Sequence, residues 1–524
     1  MSEIKTLEST AANRWLGPVA IGVYFAVLKL LLHFTFNGGY GYFRDELYFI
    51  ACGEHLAWGY PDHAPMVALM AKTSRVLFGD SLFAIRFFPA LAGALKVFLT
   101  ALLVREFAGE KYAGKSFAAF LACLCVFCAP VYLAIDNMLG MNSLEPVFWM
   151  LCVYFAVLAV RREEPRYWLW FGVFAGLGLM NKHSMVFFGV ALVVGLLLTR
   201  ERKVFLNKWF WLGGLAAFLI FLPNIIWEQQ NNWATLELLR NVQESGKNVV
   251  LSPPEFIWRQ IFMLAPPTAF VWIAGVWYFL ANKDGKRFRF LGICYLVLLA
   301  LMLALRAKDY YLAPVYPMLF AAGAVWWEEI TARIRLLRFV KIAFPVLIVA
   351  MFAVALPMVL PVLPVEKLIG YQEAIGFKPP KSEVSHEGVL QQVYADQFGW
   401  PEMVEQVAAA YNSLPPEERE KTAIYGSNYG QAGAIDFFGA RYGLPKSISP
   451  HQSYFLWGPR SYTGESVIVL GSSLKDAEKN CSSATVLGEV THPYTLSYEK
   501  YPIIHCRGTK KPLAEIWPGL KYWN

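Results

Sequence analysis

Stretches of about 20 predominantly apolar residues recur along this chain, and that recurrence constrains its fold more than any other feature. Wound as a helix rising about 1.5 Å per residue, such a stretch covers roughly 30 Å of hydrocarbon while satisfying its own backbone hydrogen bonds. Runs of this kind fall at 18–34, 82–104, 117–134, 144–160, 168–180, 185–199, 209–227, 257–280, 290–305, 311–327 and 342–363. Composition agrees. With 56% hydrophobic, 16% aromatic and only 16% charged residues, a water-soluble globule would have nowhere to bury its apolar surface. The expected fold is an α-helical polytopic membrane protein of about eleven spans. No small-residue cleavage site follows the first run, so it reads as a span and not as a signal peptide.

Lys and Arg in short loops are retained on the cytoplasmic side, and alternate loops here divide by that rule. Arg105, Lys111 and Lys115; Arg161, Arg162 and Arg166; Arg200, Arg202, Lys203 and Lys208; Lys283, Lys286, Arg287 and Arg289; and Arg333, Arg335, Arg338 and Lys341 share one side if the N-terminus is cytoplasmic. The net charge of +8 therefore reads as topology and not as nucleic-acid binding. An odd number of spans places the rest of the chain outside.

Composition shifts after the Pro-rich stretch 357–364, giving a membrane domain over 1–363 and a small soluble α/β domain over 364–524. In the latter, helix-like runs at 401–412, 431–442 and 474–480 alternate with β-branched runs at 422–425, 466–470, 484–490 and 502–505. Five of the eight cysteines, Cys123, Cys125, Cys128, Cys152 and Cys294, fall in apolar runs and read as small core residues. Cys481 and Cys506 are the two in the exported domain, where an oxidising compartment favours a disulfide between them.

The chemistry is sought where a span's rim tolerates ionisable groups least. The first external loop, 36–81, reads GYGYFRDELYFIACGEHLAWGYPDHAP over 39–65, with Asp45 and Glu46 adjacent, Arg44 before them and aromatics on both sides. A carboxylate partly desolvated at the hydrocarbon edge has the raised basicity that a general base needs; the competing reading is an ordinary solvated loop acid.

The order of a short first span, RDELYF, an aromatic loop ending in DHAP, and RFFPALAG opening the second span resembles the protein O-mannosyltransferase-like branch of the C-type (GT-C) glycosyltransferases. IDNMLGMNSLEPVFW, GLGLMNKHS, LPNIIWEQQNNW and RAKDYYLAPVYP resemble later segments of that family, and YGSNYGQAGAIDFFGARYGLP followed by HQSYFLWGP resembles a tail of its bacterial members. The resemblance implies a multi-pass bacterial inner-membrane enzyme with its soluble domain periplasmic or extracellular. It also implies hexosyl or pentosyl transfer from a polyprenyl-phosphate carrier, within the bilayer, to a glycan, lipid or protein acceptor.

By the same resemblance Asp45 is the expected base, with Glu46 positioning it. Glu145, before Pro146, stands at the family's second acidic position. Asp136 competes with it, and a plain N-terminal helix acid is the alternative for Glu145. Lys182, Arg306 and Lys308 break the positive-inside pattern on the external side, as candidates for the lipid phosphate; snorkelling to lipid headgroups would explain them equally. Tyr310 and Tyr311 are candidates for the same phosphate or for an interfacial aromatic belt. His63 stands where relatives carry His or Lys before two prolines, here with Ala64 in place of the first, and is a candidate donor to phosphate or sugar. No cofactor is implied outright. Asp62, His63, Asp45 and Glu46 could share a divalent cation, although they lack a recognisable ligand spacing. Arg86 reads as a bracing cation.

Two other functions stay open: a transporter or flippase of lipid-linked glycans, and a polymerase or ligase of surface polysaccharide. Against the first, the ionisable residues gather at one face and no inverted repeat is visible. Against the second, the longest loop between spans is the first and not a late one. In the tail, Asn428, Tyr429 and Gln431 could hold a carbohydrate or serve packing. No nucleotide fingerprint is present, as suits a donor that arrives on a lipid.

Overall fold

The computed structural model describes residues 15–112, 116–377 and 388–524. Lys115 and the side chain of Lys111, two of the basic loop residues above, lie outside what is described. Each of the apolar runs is occupied by helix. Among the described residues six helices are long and apolar enough to cross a membrane: Pro18–Phe36, Phe87–Gly109, Met141–Arg161, Lys208–Gln230, Lys286–Ala304 and Arg335–Val359. Pro253–Met263 and Pro266–Leu280 make a seventh candidate if taken together, but they bend by 100°. The sequence reads 257–280 as one continuous span. The break falls where Pro266 and Pro267 remove amide donors and push the preceding residue out of the helical region, and Ala265 sits at φ 70°. Ser116–Cys128 and Met185–Leu197 are apolar but shorter.

The chain divides into two compact units. The first comprises Met1–Asn37, Arg86–Ile225 and Val250–Leu363; the second comprises Gly38–Ile85, Ile226–Val249 and Pro364–Asn524. The first loop therefore packs with the tail in one unit.

In the first unit the outermost helices remain apolar where they are exposed. The apolar windows of Lys208–Gln230 and Arg335–Val359 are only 11% and 17% buried, and residues such as Leu215, Phe218, Ile342 and Val346 face outward, as lipid contact requires. Helices approach closely through small residues: a side chain on Gly275 or Gly323 would strike the backbone carbonyl of Leu319 or Val271 on the facing helix. Cys123, Cys125, Cys128, Cys152 and Cys294 are free and buried. Basic loops converge at one end of this unit. Arg161 Nη1, Arg105 Nη2 and Arg162 Nη2 lie 2.6, 3.1 and 3.4 Å from the Glu106 carboxylate, and Arg287 Nη2 reaches Glu163 at 3.7 Å.

The second unit is built on a mixed four-stranded sheet of order β1-β2-β4-β3, with β1 Thr422–Gly426, β2 Ser466–Leu470, β3 Cys481–Val490 and β4 Tyr501–Thr509. β1 and β2 pair in parallel, and β4 runs antiparallel to both of its neighbours. Successive side chains alternate faces, so Ile424, Ile468 and Ile503 join a core with helices Trp400–Asn412 and Tyr429–Phe438. Ala423, Val467 and Ile504 join a second core on the other face, with Leu513 and Trp517. Cys481 and Cys506 form a disulfide across β3 and β4, as expected. The last residues dock on helix Ala234–Ser245, where Asn241 Nδ2 donates to the Trp523 carbonyl at 2.8 Å.

Candidate active site

In the second unit, RDELYFIACGE forms the helix Arg44–Glu54. Glu46, at its third position, is buried and accepts the Phe43 amide at 2.9 Å, closing the first turn, and both acids favour the positive helix end. Asp45 is neighbour to that cap but points elsewhere. Its side chain is 35% exposed, Tyr429 Oη donates to its Oδ1 at 2.8 Å, and Arg44 Nε stands 3.8 Å away. Arg44 is itself anchored in the tail: its amide donates to the Asp396 carbonyl at 3.1 Å, Nε lies 3.6 Å from Asp396 Oδ1, and Nη1 donates to Tyr498 Oη at 2.9 Å.

The helix Tyr429–Phe438 meets this first-loop helix through its glycines. A Cβ on Gly430 would sit 2.5 Å from Arg44 Cγ, and one on Gly433 would sit 3.0 Å from the Leu47 backbone, so only glycine allows the approach. Asn428 and Gln431, weighed above as sugar-binding amides, serve the fold. Asn428 caps the helix through Oδ1, and Asn428 Nδ2 and Gln431 Nε2 donate to the buried Glu499 at 2.9 and 2.8 Å.

Deeper along the loop helix, Tyr48 Oη donates to Asp62 Oδ1 at 2.7 Å and lies 2.6 Å from Ser453 Oγ, which donates in turn. Burial pushes the Asp62 carboxyl above its ordinary value, against the pull of His63 and of the Tyr48 hydroxyl. His63 is buried against Tyr60, whose ring stacks at 4.4 Å, and burial lowers its basicity. Its Nδ1–H donates to the Ala64 carbonyl at 2.9 Å, leaving Nε2 buried without a partner. In that neutral tautomer Nε2 accepts; donation to a phosphate would need a second proton, which burial opposes. Among the described residues no group of three or more His, Cys, Asp or Glu side chains is arranged to hold a metal ion.

In the first unit, the Gly-rich helix Tyr167–Asn181 stops before Lys182, whose backbone is extended, and a new helix starts at Met185. The break delivers Lys182 Nζ to Glu145 Oε2 at 2.7 Å and Asn142 Oδ1 at 2.9 Å, while Ser184 Oγ donates to Glu145 Oε1. Nζ lies 4.4 Å from the Tyr311 ring centre and 5.7 Å from that of Tyr310, within cation–π range. Glu145, Asn142 and Tyr310 open on a narrow cavity shared with Ile135, Pro146 and Pro314. The helix begins at Met141, so Glu145 lies beyond the first turn and the helix-end reading of it does not hold; its partner is Lys182.

Asp136 is drawn to other partners. It is fully buried, 2.7 Å from Lys96 Nζ and 3.4 Å from Lys29 Nζ. Arg306 is exposed and held at φ 50° on the turn before Tyr310, and Lys308 is half-buried on the same turn. Arg86 is buried and donates to the Asn37 carbonyl, which fits a bracing cation. Sequence reasoning missed Asn142, Ser184 and Ser453, and it weighed Tyr429 for carbohydrate or packing but not as the partner of Asp45. Their partners are remote in sequence, and no local pattern marks them.

Residues 62–227 match the family model described as dolichyl-phosphate-mannose-protein mannosyltransferase. No curated protein matches the chain. Among solved structures, ArnT from Cupriavidus metallidurans in the apo state is matched over 94% of this chain and 98% of that one, with TM-score 0.58 and 15% identity. The same protein bound to undecaprenyl phosphate is matched over 92% and 97%, with TM-score 0.57 and 14% identity. The family model agrees with the resemblance read from the sequence over residues 62–227, and the chain has the ArnT fold.

Proposed function

We propose that this membrane glycosyltransferase, related through residues 62–227 to the dolichyl-phosphate-mannose-protein mannosyltransferases and sharing its fold with ArnT, moves a hexosyl or pentosyl group from a polyprenyl-phosphate carrier to an acceptor hydroxyl. The observation that carries this reading is the Lys182 cluster. An ammonium has three donors, and Glu145 and Asn142 take two, so one remains for a phosphate oxygen, beside two tyrosines whose rings favour a cation there. The undecaprenyl phosphate bound by ArnT supports the same class of carrier here.

The acceptor oxygen attacks the anomeric carbon, and the bond from that carbon to the carrier phosphate breaks. The phosphate departs with the bonding electrons, and the acceptor's proton passes to Asp45. Lys182, with Arg306 and Lys308 on the turn before Tyr310 and Tyr311, offsets the charge that develops on the phosphate. Glu46 fixes the helix turn that carries Asp45. His63 accepts from a sugar hydroxyl through Nε2, and Asp136 with its two lysines braces the start of the segment that delivers Glu145. The acceptor is a glycan, lipid or protein hydroxyl. The basic end of the first unit supports a cytoplasmic face there, with residues 364–524 on the periplasmic side of a bacterial inner membrane.

The test is transfer by the full chain in nanodiscs from a panel of polyprenyl-phosphate sugars. Asp45→Asn is expected to lower kcat by about 100-fold or more, in line with loss of a general base. Transfer at wild-type rates by Asp45→Asn would remove the base; transfer from none of the donors would remove the reaction.

A further inference from the structure

We infer that Tyr429 is a positioning residue for Asp45, so that the C-terminal segment supplies part of the catalytic apparatus and is not an accessory domain. The inference rests on the reading of Asp45 as the base. It starts from a hydroxyl that the local fold does not need. Tyr429 opens its helix, but Asn428 Oδ1 already accepts the Gly430 and Gln431 amides at 2.9 and 3.0 Å, so the helix start is capped without it. The phenol is free to point outward, and it meets Asp45 Oδ1 at 2.8 Å.

The ring is held as firmly as the hydroxyl is aimed. It packs 4.7 Å from the Tyr48 ring on one side and 4.7 Å from the His451 ring on another, and the Arg44 guanidinium carbon lies 5.6 Å over it. Its amide donates to His451 Nδ1 at 3.3 Å. The glycines at 430 and 433 let this helix approach the loop helix closely enough for the phenol to reach. Burial pushes the phenol's pKa well up, Arg44 pulls it down, and Asp45 adds to the rise, so the hydroxyl stays a donor across the working pH range.

The consequence for a base is definite. A carboxylate that must rotate freely in solvent presents either oxygen in any direction; one whose Oδ1 is tied by a phenol presents Oδ2 in a fixed direction, which is the orientation contribution that a positioned base needs. Other charged groups facing Asp45 are Arg44 at 3.8 Å on its own helix, and Asp62 and His63 on the loop that follows, which lie within electrostatic reach. None of them is altered by substituting position 429.

The test compares kcat/KM against pH for the full chain in nanodiscs, with whichever undecaprenyl-phosphate sugar the wild type uses. Tyr429→Phe keeps the ring and its stacking. It is expected to move the acid limb of the profile to higher pH by about one unit, because one hydrogen bond to a charged group is lost. Fluorotyrosine at 429 is a more acidic, stronger donor and is expected to move the limb the other way; it also serves if the Phe variant is not recovered folded. Tyr498→Phe removes a tail hydroxyl that holds the same helix through Arg44, and it is expected to leave the limb in place. A limb that neither position-429 change moves overturns the positioning role. If Asp45→Asn still transfers sugar, the base reading has failed, and that outcome is separable from an unmoved limb.

Discussion

His451 lies buried between the Tyr429 and Tyr522 rings, each 4.7 Å away, and burial pushes its imidazole down to about 3, with Lys247 and Arg44 adding to the effect. The sign of the consequence follows from linkage. Above about pH 6.5 the residue is neutral folded and unfolded, so it contributes no pH dependence; as the pH falls from there toward 3, the unfolded chain takes the proton that the folded one refuses, and stability is lost. By pH 5 the loss is about 2 kcal/mol. His451→Gln lacks this component, so the stability difference between wild type and variant is expected to change by about that amount between pH 7.5 and pH 5 in parallel thermal melts. A difference that stays constant would mean the imidazole is solvated. At this scale the sequence discloses residues whose type is unusual for their place. Asp45 beside a span and Lys182 against the positive-inside pattern are both legible. Tyr429 is not: its carboxylate partner is 384 residues away, and a tyrosine in a Gly-rich run has no signature that separates a positioning hydroxyl from a core ring.

Elements are more legible than contacts because periodicity is local. The run at 466–470 is the strand Ser466–Leu470, and that at 474–480 is the helix Leu474–Asn480. Prolines mark where periodicity misleads: they break 257–280, yet Pro146 is absorbed inside Met141–Arg161, which starts five residues before it. That earlier start makes Glu145 an interior helix residue, and its pairing with Lys182 links that helix to the break between Tyr167–Asn181 and Met185–Leu197. The pair is nearly dry, so deleting one partner exposes the other's desolvation cost. Lys182→Met strands a carboxylate and is expected to destabilise the protein by about 3 kcal/mol or more. The double change Lys182→Met with Glu145→Gln removes both charges and is expected to recover most of that stability in thermal melts. If Lys182 holds the carrier phosphate as proposed, sugar transfer is expected to stay lost in both variants. Activity returning with stability in the double variant would make the pair a structural strut and not a phosphate site.

For the whole molecule, sidedness is the property most directly written in the sequence, because it depends on charge per loop and not on packing. In the first unit the loops carrying Arg105, Arg161, Arg162 and Arg287 meet around Glu106 and Glu163, so the grouping by alternate loops is spatial as well as formal. Division into units was less legible. A composition shift at 357–364 marks the tail, but nothing local announces that 38–85 and 226–249 pack with it, since those contacts are made by residues hundreds of positions apart. The orientation can be tested on the wild-type background, because the six free cysteines are all buried and Cys481 and Cys506 are bonded to each other. A membrane-impermeant thiol reagent applied to intact cells without their outer barrier is expected to label Glu417→Cys in the tail. Lys203→Cys, exposed on a basic loop, is expected to react only after the membrane is opened. Labelling of Lys203→Cys in sealed cells would invert the topology. The reaction would then face the cytoplasm, where sugar donors are ordinarily nucleotide-linked, and a lipid-linked donor would lose its physical rationale.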